Sequence, residues 1–303
     1  MTFCITYDEI PLTGTVRLQQ TIGSTARVTG FGYWSGLDVH VEFLPAPADT
    51  GIVFVRADLE PPRRIPACVQ NRIEIPRRTT LAVGGVRVDM VEHIMAALAG
   101  MRIDNCEIWV DQPEMPGCDG SSWPFVEALQ QAGVVSQPAR RRQHRIPRPV
   151  RVGDDASWVE ARPHRHDGLR LQCLIDYGPT GPIGRQVFQL TITPGTFERD
   201  LAAARTFLLE QEAAWLRSQG LGARVTSRDL LVFDARGPVE NTLRFVDECV
   251  RHKTLDLLGD LALAGCDLIG HVTAHCSGHR LNAELVAALS LAHAPNTDWK
   301  KSA

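Results

Sequence analysis

The stretch Val250-Arg251-His252-Lys253-Thr254-Leu255-Asp256-Leu257-Leu258-Gly259-Asp260 sets an imidazole and two carboxylates four residues apart inside a Leu-rich helical pattern. On an α-helix, at about 100° per residue, His252 and Asp256 project about 40° apart, and Asp260 lies one further turn along the same stripe. Two of the three can hold one ion. Zinc accepts His nitrogen and Asp oxygen, and a catalytic zinc keeps only three protein ligands, so this helix needs one more partner from elsewhere in the chain.

The chain around that helix has 303 residues, enough for two domains of ordinary size, with the 44% hydrophobic and 22% charged content of a soluble globular protein. Its 32 basic and 35 acidic residues leave a net charge of -3, which points neither to a nucleic-acid partner nor to a strongly basic membrane surface. The start, Met1-Thr2-Phe3-Cys4, lacks a basic region followed by an apolar run, and no later segment approaches the ~20 apolar residues of a membrane span. A cytoplasmic, unprocessed chain is expected. The eight cysteines include no C-x-x-C pair, so reduced and mostly buried thiols are expected rather than disulfides.

Between Ser136 and Pro149 the sequence SQPARRRQHRIPRP interrupts the hydrophobic periodicity with three prolines and a run of arginines. This divides the chain into a domain over 1–138, a linker over 139–149 and a domain over 150–303. Arg140-Arg141-Arg142 reads as a solvated linker face. Each half repeats one order, in which Val-, Ile- and Thr-rich strands precede a strong helix and a further strand. In the first half, strands are expected over Val39–Phe43, Ile52–Arg56 and Cys106–Val110, and helices over Asp89–Ala99 and Pro124–Gln131, ended by Gly100 and Gly133. In the second, strands are expected over Trp158–Arg162, Leu169–Ile175, Gln186–Ile192 and Leu268–Thr273. Helices are expected over Arg199–Ala204, Glu210–Gln219, Asp247–Ala264 and Asn282–His293. Two α+β halves with paired helices follow.

The missing ligand is best sought at Asp89-Met90-Val91-Glu92-His93, where a carboxylate and an imidazole are neighbours in the first turn of a helix. Asp89 and Glu92 read equally well as a capping box, with Glu92 reaching back to the N-cap amide. A second cluster, Cys266, His271, His275, Cys276 and His279, has histidines every four residues. Gly270 and Gly278 interrupt any continuous helix there, so the three imidazoles are not expected to converge. His279 is then a loop or helix-start residue free to act as acid or base, and His271 and His275 are strand or surface residues.

With these residues in view, the chain resembles the UDP-3-O-acyl-N-acetylglucosamine deacetylases, the zinc amidases of lipid A biosynthesis. The matching blocks are PAPADTG (Pro45 to Gly51), VEHIMAALAGMRIDN (Val91 to Asn105), DGSSWPFVEALQQAG (Asp119 to Gly133), ARTF (Ala204 to Phe207), LRFVDECVRHKTLDLLGDLALAG (Leu243 to Gly265) and SGHRLN (Ser277 to Asn282). They run in the family's order over nearly the whole chain. The resemblance implies two α+β domains with their helices sandwiched between two outer sheets. It also implies zinc held by His93, His252 and Asp256, with Glu92 as general base. His279 is implied as a second acid/base group oriented by Asp260, and Thr206 and Lys253 as donors to the oxyanion. Phe207 is implied beside the site, and Asp176 and Tyr177 near the nucleotide sugar. An acyl-chain channel is implied from an insert at 208–233. Asp260 is on this reading not a ligand.

The substrate-facing residues depart from the family's pattern. Where it usually reads Gly-x-Gly-Leu-His-Ser/Thr-Gly, this chain has Gly30-Phe31-Gly32-Tyr33-Trp34-Ser35-Gly36, so Trp34 replaces a site-facing histidine. Cys276 stands where a lysine usually precedes Ser-Gly-His, and Leu208 where a glycine usually follows Phe207. The expected activity is zinc-dependent removal of the N-acetyl group from UDP-3-O-acyl-N-acetylglucosamine by a monomeric enzyme. Two alternatives are a paralogue acting on another N-acylated nucleotide sugar, suggested by Trp34 and Cys276, and a non-catalytic relative keeping zinc for stability. The last is disfavoured by Glu92, Asp260 and His279, which stability alone does not require.

Overall fold

Alternation decides the outer layers: in Asp38-Val39-His40-Val41-Glu42-Phe43, Val39, Val41 and Phe43 are buried and the residues between them are not. The computed structural model describes residues 16–291. Its first half contains β1 (Leu18–Ile22), β2 (Ala26–Phe31), β3 (Asp38–Pro45), β4 (Ile52–Arg56), β5 (Arg63–Pro66), β6 (Arg72–Ile73), β7 (Thr80–Val83) and β8 (Val86–Asp89). Helix α1 (Glu92–Gly100), β9 (Cys106–Val110) and α2 (Trp123–Ala132) follow. One sheet has the order β2-β3-β9-β4-β5, with β4 and β9 parallel and the other pairs antiparallel. The β6-β7-β8 meander delivers the chain to the start of α1.

The second half opens with β10 (Val134–Arg140), β11 (Gln143–Arg145), β12 (Val150–Gly153), β13 (Trp158–Arg162), β14 (Leu169–Asp176) and β15 (Arg185–Thr191). Then come α3 (Pro194–Asp200), β16 (Phe207–Leu209), α4 (Glu210–Ser218), β17 (Leu231–Phe233), α5 (Glu248–Leu261), β18 (Asp267–His275) and α6 (His279–Leu291). Its main sheet has the order β12-β13-β18-β14-β15, with β11 added parallel to β18. Helix α2 lies against β2, while α5 lies against β14 and α6 against β12 and β13; α1 and α5 face each other in the middle. The helices are therefore an inner layer between two sheets, a mixed α+β architecture. Among the described residues no helix is long and apolar enough to cross a membrane.

Several expected boundaries move, each for a local reason. The short helix is Pro194–Asp200 rather than Arg199–Ala204, because Thr193 caps it through the Thr196 amide and proline occupies its first turn. Helix α1 begins at Glu92, not Asp89: Asp89 ends β8, Val91 is the N-cap, and no side chain caps it, so the capping box does not form. Helix α6 begins at His279, three residues before its expected start, and His293 lies outside the described residues. Of the expected linker 139–149, Arg140 closes β10, which pairs with β1, and 143–145 form β11. The arginine run is not simply solvated either. Arg141 lies 3.0 Å from Asp104 and 3.3 Å from Asp267, the carboxylates that Arg17 also holds, so acids distant in sequence draw it inward and join the halves. The seven described cysteines are free thiols, three buried and four half-buried.

The inner helices meet through a glycine. A Cβ on Gly259 would lie 2.1 Å from the Glu92 carbonyl oxygen and 3.2 Å from the Ala96 amide nitrogen, so α5 can approach α1 this closely only without a side chain there. Backbone, unlike the end of a flexible side chain, has little room to yield. Gly259→Ala is expected to cost ~1–3 kcal/mol of stability through overpacking. It should also weaken metal binding by moving the N-terminus of α1 away from α5, and denaturant unfolding with a metal titration checks both effects.

Candidate metal centre and active site

The α1–α5 approach brings His93 from one half beside His252 and Asp256 from the other, all three buried, with one potential ligand atom of each within 4.8 Å of the others. Asp256 Oδ1 lies 3.3 Å from His252 Nε2 and 3.6 Å from His93 Nε2, yet it is buried without a hydrogen-bond partner. Buried acceptors are rarely left so. Tetrahedral bonds of about 2.0–2.2 Å put donor atoms about 3.3–3.6 Å apart, so the spacing suits a small cation of zinc's ligand preference. The donor set, two imidazoles and one carboxylate, suits it as well.

The surroundings prepare two of the three candidate ligands. His252 Nδ1 lies 3.1 Å from the Ala204 carbonyl, which can only accept, so the proton sits on Nδ1 and Nε2 offers its lone pair. Burial disfavours the imidazolium and pushes His252 down to about 3 despite the attraction of Asp256. Asp256 is held well below the usual carboxylate range: burial opposes its charge, but its cationic surroundings, with Lys253 in direct contact, outweigh that. Lys253 Nζ donates to Asp256 Oδ2 at 2.8 Å, leaving Oδ1 for the ion. The loop carrying the Ala204 carbonyl and Thr206 is fastened by the buried Arg205, whose guanidinium meets Glu248 at the start of α5 at 2.8 Å and also holds Asn241 and the Thr242 carbonyl.

On one flank is Glu92, 4% exposed, its Oε2 accepting the Thr79 amide proton at 3.0 Å. Burial raises its pKa, against the pull of His279 and His93. On the other flank is His279, whose Nδ1 donates to Asp260 Oδ2 at 2.9 Å. Burial alone would keep that ring neutral, but Asp260 outweighs it, helped by Glu92 and Asp256, and the imidazolium persists to about 9. Asp260 is not a member of the ligand group. One carboxylate on the stripe faces the two imidazoles of the candidate metal group, and the next faces His279.

These groups open onto a cavity of about 430 Å³ lined also by Thr206, Phe207, Tyr177, Lys253 and Trp34. Tyr177 meets Phe207 edge to face at 5.7 Å, and Lys253 Nζ lies 5.8 Å from the Phe207 ring centre. The insert supplies an apolar wall from Leu208, Ala213, Leu216, Leu230 and Val232. Asp176 is not brought to this cavity; its carboxylate accepts the Gly178 amide proton and lies 3.9 Å from Arg185. Trp34 is on the wall with Arg78 stacked over its indole at 4.4 Å, and Glu114 holds the Trp34 and Ser35 amides at 2.8 Å. His271 and His275 lie on β18, as expected of strand residues.

Sequence reasoning missed Thr79, Asn282 and Arg78. Asn282 donates to Asp260 Oδ2 at 2.8 Å and stands three residues after His279, a helical spacing that could have revealed it. Thr79 and Arg78 precede β7 and carry no local signal.

Fold and site together point to a class: two-domain α+β proteins with a single-metal hydrolytic centre where the domains meet. Residues 19–291 match the family model described as LpxC: UDP-3-O-acyl N-acetylglycosamine deacetylase, and the chain belongs to that family. It is 38% identical over 275 residues to the UDP-3-O-acyl-N-acetylglucosamine deacetylase of Solibacter usitatus, covering 90% of this chain and 92% of the relative. It is 42% identical over 274 residues to the protein of the same name from Brucella ovis, covering 89% and 94%.

Because Asp260 is what raises His279, the His279 imidazole in the metal-free protein should titrate near 9, charged below that pH and neutral above it. In Asp260→Asn, burial is no longer opposed by an adjacent charge and the midpoint should fall. NMR titration of the His279 ring measures this directly; an unmoved midpoint would contradict the assignment.

Proposed function

We propose that this protein is a zinc-dependent deacetylase that hydrolyses the N-acetyl group of UDP-3-O-acyl-N-acetylglucosamine, releasing acetate and a free amine in lipid A biosynthesis. The observation that carries this reading is the placement of Glu92 and His279 on opposite flanks of a His93, His252 and Asp256 cluster, at a cavity with an apolar wall. Family membership and the names of the relatives support the same substrate.

His93 and His252 through Nε2 and Asp256 through Oδ1 would hold zinc. When bound, the ion lowers the pKa of a coordinated water and polarises the acetamide carbonyl. Glu92, raised by burial, takes the proton as water attacks. Lys253 and Thr206 stand on the cavity wall to meet the developing oxyanion, a role in which one buried donor is worth ~3 kcal/mol. His279, charged at neutral pH, stabilises that negative charge or protonates the departing amine through Nε2, since Nδ1 is committed to Asp260. The apolar wall takes the acyl chain, and Tyr177 and Phe207 pack beside the sugar; Asp176, outside the cavity, would contact at most the substrate's outer parts. Such an enzyme acts as a cytoplasmic monomer on a diffusible nucleotide sugar.

Trp34 and Arg78 favour one second reading. An indole capped by a guanidinium replaces a small imidazole on the cavity wall, a change suited to a differently substituted N-acylated nucleotide sugar. A substrate panel ranked by kcat/KM separates the two readings.

Purified protein should bind about one zinc per chain and release acetate from the substrate, with activity lost on chelation and regained with zinc. Glu92→Gln and His279→Ala should each lower kcat by ~10²–10⁴ while zinc remains bound. A metal-replete enzyme that releases no acetate contradicts the proposal.

A further inference from the structure

We infer that Thr79 is a positioning residue that joins the two proton-transfer groups into one unit, fixing Glu92 through its amide and the Asp260–His279 pair through its hydroxyl. This rests on the deacetylase reading of the site. Thr79 is 1% exposed and immediately precedes β7. Its N–H donates to Glu92 Oε2 at 3.0 Å, and its Oγ1 lies 2.5 Å from Asp260 Oδ1. A carboxylate accepts only, so the hydroxyl is the donor. The other oxygen, Asp260 Oδ2, takes His279 Nδ1–H at 2.9 Å and Asn282 Nδ2 at 2.8 Å. Three donors from two domains thus clamp one fully buried carboxylate.

The clamp has a directional consequence. Turning Asp260 about its Cβ–Cγ bond moves both oxygens at once, so the hydroxyl on Oδ1 sets the plane in which Oδ2 meets the imidazole. Without it, Oδ1 is an unsatisfied acceptor on a fully buried carboxylate, and the carboxylate gains by turning towards another donor. His279 would follow its partner and lose its aim at the leaving nitrogen. The Thr79 amide meanwhile fixes the Glu92 oxygen, so base and acid are registered against one backbone position. Placement of this kind is what proton transfer needs.

A threonine that merely ties the meander to the helix layer would affect stability alone, and three variants separate the roles. Thr79→Val keeps the branching and the amide and removes only the hydroxyl. It is expected to lower kcat by about tenfold or more, as loss of a partner behind a catalytic group commonly does, with KM within about twofold and zinc still bound. Thr79→Ser keeps the hydroxyl and should retain most of kcat. If valine is not tolerated, Thr79→Cys against Thr79→Ser makes the same comparison, since a thiol is a much weaker donor. In the zinc-loaded protein without substrate, the His279 Nδ1–H NMR signal should shift in Thr79→Val, or in the cysteine variant, but not in Thr79→Ser. Native kcat in the variant lacking the hydroxyl, an equal loss in Thr79→Ser, or an unmoved His279 signal overturns the inference. A native protein that releases no acetate instead overturns the deacetylase reading.

Discussion

The crossing of α1 and α5 at Gly259 is the constraint on which the rest depends. A glycine there lets the backbone of one helix take the place a Cβ would fill on the other, so the first residues of α1 come level with the ligand face of α5. Glu92 and His93 reach the centre because the chain turns from β8 into α1 at that point, and His252 and Asp256 reach it because they precede the glycine by one to two turns. Neither half holds all three residues of the candidate metal group. The ion pairs of Arg17 and Arg141 with Asp104 and Asp267 tie the same halves again, so the spacing of the centre is part of the fold.

Within that fixed frame, neighbours give chemically similar groups opposite protonation states. His252 is buried and His279 half-buried, yet one is driven neutral and the other stays charged. The difference lies in the partner. His252 gives its Nδ1 proton to an uncharged carbonyl, whereas His279 gives its own to a buried carboxylate. Asp256 and Asp260 divide in the same way: Lys253 engages one oxygen of Asp256 and leaves the other free, while Asp260 has both oxygens occupied. A single helical stripe therefore supplies both a candidate ligand and the hydrogen-bond partner of His279.

Much of this was legible in the sequence. The four-residue spacing of His252, Asp256 and Asp260 fixed a common face, the alternation in β3 marked an outer sheet, and the apolar, β-branched runs of β4 and β9 marked its other strands. Spacing did not tell a ligand from an orienting group, because that depends on what faces each carboxylate from other elements. Resemblance to a family supplied the division, and the contacts of Asp260 with Thr79, His279 and Asn282 give it a physical basis. The arginine run is exposed at Arg140 and Arg142 as its charge suggested, but Asp104 and Asp267, far away in the chain, draw Arg141 inward. Thr79 could not be found in advance: an isolated threonine before a short strand has no periodicity, and its role exists only once β7, α1 and α5 are assembled.

The account's central claim is that two domains share one ion held by His93, His252 and Asp256 while Asp260 stays outside the coordination shell. Anomalous diffraction at the zinc absorption edge from crystals of the zinc-loaded protein tests it most directly. One strong peak is predicted about 2.0–2.2 Å from His93 Nε2, His252 Nε2 and an Asp256 oxygen, with Asp260 still on His279. A peak elsewhere, or one with Asp260 as a ligand, would contradict it.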